Sequence, residues 1–177
     1  DSDLARLLET LPPVHSAYTR LRTALTRYRR LAEQGGWLPL PAGPKLAPGD
    51  EHEQVVLLRA RLRSEGDLPL FALSFGTRYD APLATAVENF QQRHGLHADG
   101  IVGTRTRAAL NVPAAERAAQ LRRAMERWRW LPRDFGSHYV LANTAGFELA
   151  VVEDGKTLLA MRTINGTPDQ ATPSFTA

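Results

Sequence analysis

The fold is decided by residues 90–106, which read FQQRHGLHADGIVGTRT. Apolar residues lead into this stretch at helical spacing through Leu83, Val87 and Phe90, so it begins at the end of an amphipathic helix. Gly95 stands where that helix should end, because glycine adopts a left-handed C-terminal conformation without steric cost. The first half of the stretch therefore predicts a helix that stops at Gly95.

The second half of the stretch predicts a tight turn and a new helix. Asp99-Gly100 is typical of turns, and Gly103 permits a close approach of two backbones. Thr104 is a candidate N-cap for a helix that runs to Leu110. Each feature alone is common, but their ordered succession predicts a helix–turn–helix unit.

The rest of the amino-terminal region is predicted to be helical around one extended break. Apolar residues at i, i+3 and i+4 spacing predict a helix over residues 14–33, and apolar residues between capping, proline and glycine signals predict further helices over 4–11, 50–66, 82–94 and 113–130. Asp50 is a candidate N-cap for the third of these, with Glu53 completing a capping box. Residues 37–50 contain four prolines and two glycines, so we predict that they form an extended linker.

The periodicity changes after Leu131-Pro132. Three β-type runs follow, over residues 138–143, 147–152 and 158–164, with turns at 144–146 and at Asp154-Gly155. This change predicts a domain boundary near residue 134. The predicted fold class is mainly α with a small C-terminal β segment. It comprises a three-helix module, flanking helices and a partial β-sheet.

Composition excludes several kinds of chemistry. The 177 residues include no cysteine, which removes disulfides, thiolate metal sites and thiol catalysis from this chain. No apolar run approaches the roughly 20 residues of a membrane-spanning helix, and no signal peptide is expected within these residues. The net charge is +3, and the arginines cluster in the predicted helices. These arginines most simply form the solvated faces of amphipathic helices.

Two histidine arrangements resemble metal sites, and neither is predicted to hold a metal. His52-Glu53 begins a His-Glu-x-x-His pattern, but Val56 replaces the second imidazole. His94 and His97 flank a glycine that ends the helix, so they do not share a helix face. No glycine-rich phosphate-binding motif occurs either. We therefore predict no metal and no cofactor.

Residues 90–106 also resemble the core motif of the small bacterial peptidoglycan-binding domain, FQ-x-x-x-GL-x-x-DG-x-x-G-x-x-T. Beyond that motif, nearly the whole chain resembles the large bacterial L,D-transpeptidases, the periplasmic cross-linkers of peptidoglycan. The matching runs are 28–30, 35–37, 40–44, 58–62, 66–68, 79–80, 110–113 and 126–132. Residues 165–173 are similar to the strand and loop that open the catalytic domain of that family.

The resemblance implies a periplasmic protein that cross-links stem peptides through a cysteine thioacyl-enzyme. In that family the catalytic histidine and cysteine lie in a His-Gly and Ser-x-Gly-Cys segment downstream of the runs matched here. No residue of this chain matches that segment, so no catalytic residue is assigned. The chain is expected to supply peptidoglycan recognition and scaffold only, and to have no transpeptidase activity itself.

The resemblance also implies a domain division. The four parts are a helical scaffold with the linker, the peptidoglycan-binding-like domain, a connecting helix and the opening strands of the catalytic domain, at residues 1–46, 47–112, 113–134 and 135–177. The expected partners are glycan strands and stem peptides. Gln91, Arg93 and Asp99 are the candidate binding residues, because they are polar and adjoin the turn of the motif.

Two other functions remain open. The first is a stand-alone, non-catalytic peptidoglycan-binding module. The second is a basic helical protein that binds nucleic acid, for which the arginines and tryptophans of residues 127–130 could supply a basic and aromatic patch. We predict no nucleic-acid partner, because core packing of these aromatic residues is the simpler explanation.

Overall fold

The computed structural model describes residues 13–69, 76–143 and 146–164. These residues form five helices and one three-stranded sheet, which confirms the mainly α fold class with a small C-terminal β segment. The elements are α1 (Ser16–Glu33), α2 (Gln54–Glu65), α3 (Ala81–Arg93), α4 (Thr104–Leu110), α5 (Ala114–Arg129), β1 (His138–Asn143), β2 (Glu148–Glu153) and β3 (Lys156–Arg162). The chain divides into two compact units, Asp1–Trp130 and Leu131–Ala177. The helix predicted at residues 4–11 and the loop at 165–173 lie outside the described residues.

Helices α2, α3 and α4 enclose the main apolar core. Phe90 of α3 is fully buried, as its place on the apolar stripe of the sequence predicts. Burial of side chains of this size supplies the main favourable term in folding. The buried members of this core are Leu40, Leu46, Val55, Leu58, Leu62, Leu68, Tyr79, Leu83, Ala86, Val87, Phe90, Val102 and Leu110.

The proline-rich segment of residues 37–50 is extended, and it packs on this core. Leu40 and Leu46 are 2% and 1% exposed. The backbone N–H of Leu40 donates to Oδ1 of Asn111 at 2.8 Å, and Nδ2 of Asn111 donates to the carbonyl of Leu40 at 2.9 Å. Leu46 pairs with Val102 in an isolated β-bridge. The prolines thus exclude a helix, while these contacts make the segment a structural part of the module.

The helix boundaries follow local signals, with two corrections. The predicted N-cap Asp50 is wrong, because its carboxylate accepts the N–H of Ala47 at 2.8 Å and α2 begins only at Gln54. Nδ1 of His52 instead accepts the N–H of Gln54 at 3.0 Å. Thr104 is the first residue of α4 and makes no side-chain cap. Gly95 has φ +65°, so the predicted left-handed end of α3 is confirmed.

Helices α1 and α5 pack against each other and share a second apolar core. Met125 lies on the predicted apolar stripe of α5 and is 6% exposed. The guanidinium of Arg129 donates to the hydroxyl of Tyr18 across the pair. The buried members of this core are Tyr18, Leu25, Tyr28, Ala118 and Met125. Among the described helices, none is both long and apolar enough to cross a membrane.

The second unit contains the sheet, whose antiparallel strands have the order β1-β2-β3. Val140 pairs with Val151, and Val151 pairs with Leu159, so these three side chains share one face. Val140 and Leu159 are 62% and 49% exposed. Asp154 and Gly155 both have positive φ at the β2–β3 turn, as the Asp-Gly sequence predicts. The described strands therefore form a sheet with an apolar face exposed to solvent.

Candidate ligand-binding site

Gln91 fixes the turn that joins α3 to α4. Its side chain lies in the interior, with the residue only 1% exposed. Its oxygen accepts the backbone N–H groups of Asp99 and Gly100 at 3.1 and 2.9 Å. Its nitrogen donates to Oδ1 of Asp99 at 2.8 Å and to the carbonyl of Ile101 at 3.0 Å. The glutamine of the motif thus holds residues 99–101 against α3.

A cleft of about 260 Å³ opens above this turn. Gln91 lies at its base, while Asp99, Thr104 and Arg105 are exposed on its rim. The backbone N–H of Ile101, together with Gln91, lowers the pKa of the Asp99 carboxyl, so the rim carries a carboxylate near neutral pH. The full lining is Gln91, Leu96, His97, Asp99, Ile101, Gly103, Thr104, Arg105 and Thr106.

A second cleft of about 440 Å³ adjoins the first, since Gly103 and Thr104 line both. The proline-rich segment forms its far wall. Arg107 holds this wall in place, because its guanidinium donates to the carbonyls of Pro41 and Pro44, both at 2.7 Å. We call the two adjoining clefts the motif groove. Its polar rim and partly apolar base suit a polar ligand with apolar faces, such as a sugar or a short peptide.

Arg93 lies away from the motif groove. Its guanidinium forms ion pairs with Glu65 and Asp67, and it lines a third cleft beside α1. The structure therefore brings Gln91 and Asp99 together and places Arg93 elsewhere. Of these three side chains, Asp99 is exposed on the rim of the motif groove with its Oδ2 3.5 Å from Nδ1 of His97, whereas Gln91 uses its amide within the turn.

A buried ion cluster links α1, α2 and α3. The Glu65 side chain is fully buried, and its Oε1 accepts from the hydroxyl of Tyr28 at 2.8 Å and lies 3.0 Å from Nη2 of Arg61. Burial raises the pKa of the Glu65 carboxyl, but the hydrogen bond and charge of Arg61 outweigh it, and the pKa lies below its usual range. Arg61 also stacks 3.5 Å from the ring centre of Trp37. Sequence reasoning missed this cluster, because charged residues on a helix are ordinarily exposed.

The two histidines of the motif occupy different environments. The His94 ring packs on Phe90 with ring centres 4.2 Å apart, and its Nε2 has no hydrogen-bond partner among the described residues. Burial lowers the pKa of His94 to about 4, and the charges of Arg117 and Arg93 add to this shift. His97 is instead exposed, with Nδ1 3.5 Å from the Asp99 carboxylate. The two imidazoles therefore do not face a common ligand position.

His94 should make the helical unit acid-sensitive. Its folded-state pKa lies below the value of about 6.5 in an unfolded chain, so the unfolded chain binds the extra proton first as pH falls. The contribution of neutral His94 to stability is fully present above about pH 6.5, and the free energy of unfolding decreases by about 1–3 kcal/mol towards pH 4. The charged groups that face His94 are Arg117, Arg93, Arg61 and Glu65. Urea melts at several pH values give the slope of the free energy of unfolding against pH, and His94→Phe should remove the part of that slope that lies between about pH 6.5 and 4. His97→Gln, an exposed control, should leave it unchanged, and an identical slope in His94→Phe would contradict the assignment.

Comparison with known proteins assigns a domain to this region. Residues 51–110 match the model of a family described as "Putative peptidoglycan binding domain". The match spans about a third of the chain and includes α2, α3, α4 and the turn held by Gln91. No curated protein matches the chain. The module that carries the motif groove is thus similar to peptidoglycan-binding domains, and the comparisons offer no support for the L,D-transpeptidase resemblance.

Proposed function

We propose that this chain is a wall-binding part of a bacterial cell-envelope protein, and that its helical module binds peptidoglycan in the motif groove. The observation that carries the proposal is that the matched domain contains an open cleft with a polar rim, lined by residues of its own motif. Gln91 already holds the turn at the base of the groove, and Arg107 already holds its proline-rich wall. Binding therefore requires little additional ordering of the protein.

The groove chemistry agrees with a sugar or peptide ligand. Thr104 and Arg105 supply hydrogen-bond donors, and the Asp99 carboxylate supplies an acceptor. Leu96 and Ile101 add apolar surface against which a sugar ring or a lactyl group can pack. In this proposal Asp99 contacts the ligand, and Gln91 acts as a positioning residue for Asp99.

The finer proposal is that the chain belongs to a longer periplasmic L,D-transpeptidase. The runs quoted above and the change from helices to strands support it. A thioacyl-enzyme needs a cysteine thiol, and this chain contains none. In this proposal the chain therefore recognises the wall and supports the domain that carries out acyl transfer.

The alternative of a non-catalytic wall-binding module has the same ligand and differs only in the absence of an acyl-transfer domain. The extent of the family match, which includes neither α1, α5 nor the sheet, is compatible with it. The structure supports the nucleic-acid alternative less well than the wall-binding alternatives. Trp128 packs against the α1–α5 core and against His15, with ring centres 5.3 Å apart, so it is not available to stack on a base. Trp130 is 78% exposed, so the predicted core packing is confirmed for Trp128 and is wrong for Trp130.

Arg105→Gln should weaken binding to insoluble peptidoglycan sacculi about tenfold, because it removes a charge-assisted donor from the rim of the groove. Co-sedimentation of the 177-residue chain with purified sacculi measures this affinity. Arg122→Gln is the matched control, since Arg122 is exposed on α5 and does not line the groove.

Two results would count against the proposal. Failure of the unmodified chain to sediment with sacculi would exclude wall binding. Equal retention of the Arg105 and Arg122 variants would leave wall binding intact but would remove the ligand from this rim of the groove. Tight, salt-dependent binding to DNA without retention by sacculi would favour the nucleic-acid alternative.

A further inference from the structure

A third cleft lies between α1 and the matched module, at the carboxyl ends of α2 and α3. Its volume is about 520 Å³, and we call it the α1 cleft. It is lined by Thr19, Arg20, Thr23, Ala24, Arg27, Tyr28, Glu65, Asp67 and Arg93. The wall formed by α1 lies outside the matched domain, so the family match does not describe this site.

Three arginines face two carboxylates in the α1 cleft, and the charges are unevenly paired. Arg93 is engaged by both Glu65 and Asp67. These carboxylates, chiefly Asp67, hold the pKa of Arg93 above its usual range although burial opposes this shift. Arg20 and Arg27 have no such partner among the described residues: Arg20 donates to the hydroxyl of Ser16, and Arg27 donates to the carbonyl of Ser64. The α1 wall therefore carries positive charge that the opposite wall does not neutralise.

Arg27 is fixed in this position by the end of α2. Its Nη2 donates to the carbonyl of Ser64 at 3.1 Å. Gly66 makes room for it, since a Cβ at that residue would lie 3.1 Å from the same nitrogen. A guanidinium has five N–H donors, so this single bond leaves others for a ligand. An arginine held in one orientation recognises a planar carboxylate better than a freely moving side chain does.

We propose that the α1 cleft binds the free carboxylate of a short peptide, and that Arg20 and Arg27 hold it. The inference rests on the proposed function, because the carboxylate-bearing peptides of the wall are its stem peptides. On the opposite wall Glu65 and Asp67 are already paired with Arg93, so the charged contacts to the ligand come from the α1 wall. The cleft has the size of a small-ligand site, which suits a peptide end and not an extended glycan strand.

The test is an NMR titration of the isotope-labelled 177-residue chain with a soluble disaccharide–tetrapeptide muropeptide. Resonances of residues lining the α1 cleft should shift. The double variant Arg20→Gln/Arg27→Gln should bind the muropeptide about tenfold more weakly, because it loses two charge-assisted contacts. The matched control is Arg22→Gln/Arg29→Gln, on the same helix with the same change of charge but outside the cleft, and it should bind normally.

Two further ligands show whether the resonance shifts come from the peptide, from the sugars or from any anion. The disaccharide without a peptide should leave the α1 cleft resonances unchanged, and inorganic phosphate should shift them only at far higher concentration. Equal affinity of the two double variants for the muropeptide, or phosphate binding as tight as muropeptide binding, would overturn the inference. Retention by sacculi together with either result would leave the proposed function standing. Loss of both sacculus retention and muropeptide binding would remove the proposed function as well.

Discussion

Replacement of Glu65 by leucine is expected to lower the free energy of unfolding by about 3–5 kcal/mol. The expected cost comes from the buried charge of Arg61, which would lose its carboxylate partner. Arg61 is 1% exposed, and without Glu65 its charge would remain buried with no carboxylate within ion-pair distance among the described residues. Tyr28 would also lose the acceptor of its hydroxyl. Urea denaturation of the unmodified chain and the variant measures the difference.

Two companion variants separate the charge effect from simple loss of contacts. Tyr28→Phe removes one hydrogen bond to Glu65 and should cost only about 1 kcal/mol. Arg61→Met combined with Glu65→Leu removes both charges and should be less destabilised than Glu65→Leu alone. A cost below about 1 kcal/mol for Glu65→Leu would contradict the ion cluster as described.

The same variant has a definite pH dependence. The pKa of Glu65 lies below its ordinary value in the folded chain. Its ionised form therefore contributes stability above the unfolded pKa, and this contribution is lost as pH falls through the folded value. The difference between Glu65→Leu and the unmodified chain should thus narrow in acid. A difference that grows in acid would contradict this sign.

The sequence predicted those parts of the fold that local signals specify. The end of α3 at Gly95, the Asp99-Gly100 turn and the apolar stripe through Phe90 each depend on residues close in sequence. The fold class and the strand positions followed from a change of periodicity. These signals act within a few residues, so a single sequence contains them.

The ion cluster and the packed proline-rich segment depend on distant partners, and the sequence did not reveal them. Tyr28 and Glu65 meet across 37 positions, and Leu40 and Asn111 across 71. Helix α2 buries the charged residues Arg59, Arg61 and Glu65 as well as Val55, Leu58 and Leu62. Its sequence therefore lacks the amphipathic pattern that would identify one buried face. The segment of residues 37–50 has the composition of a linker, and only its partners show that it belongs to the core.

In the candidate site, the role of Gln91 also depends on partners that the sequence alone does not identify. Gln91 adjoins the motif turn in sequence, and from sequence alone a polar residue there is equally suited to a ligand or to the turn itself. The structure gives its amide five hydrogen-bond partners within the protein, four of them in residues 99–101. A signal was available in the sequence, since a glutamine beside the buried Phe90 on α3 lies close to the apolar face.

Gln91→Leu is therefore expected to lower the free energy of unfolding by about 3–5 kcal/mol. The reason is that the backbone N–H groups of Asp99 and Gly100 and the carbonyl of Ile101 lose their hydrogen-bond partner. Urea melts measure this cost, and Gln92→Leu, at an exposed position on the same helix, should change stability by no more than about 0.5 kcal/mol. Sacculus binding of the Gln91 variant then distinguishes two roles. A positioning residue loses stability and binding together, because the turn carries Asp99. A variant with unchanged stability and weakened binding would make Gln91 a direct ligand contact and would contradict the buried network.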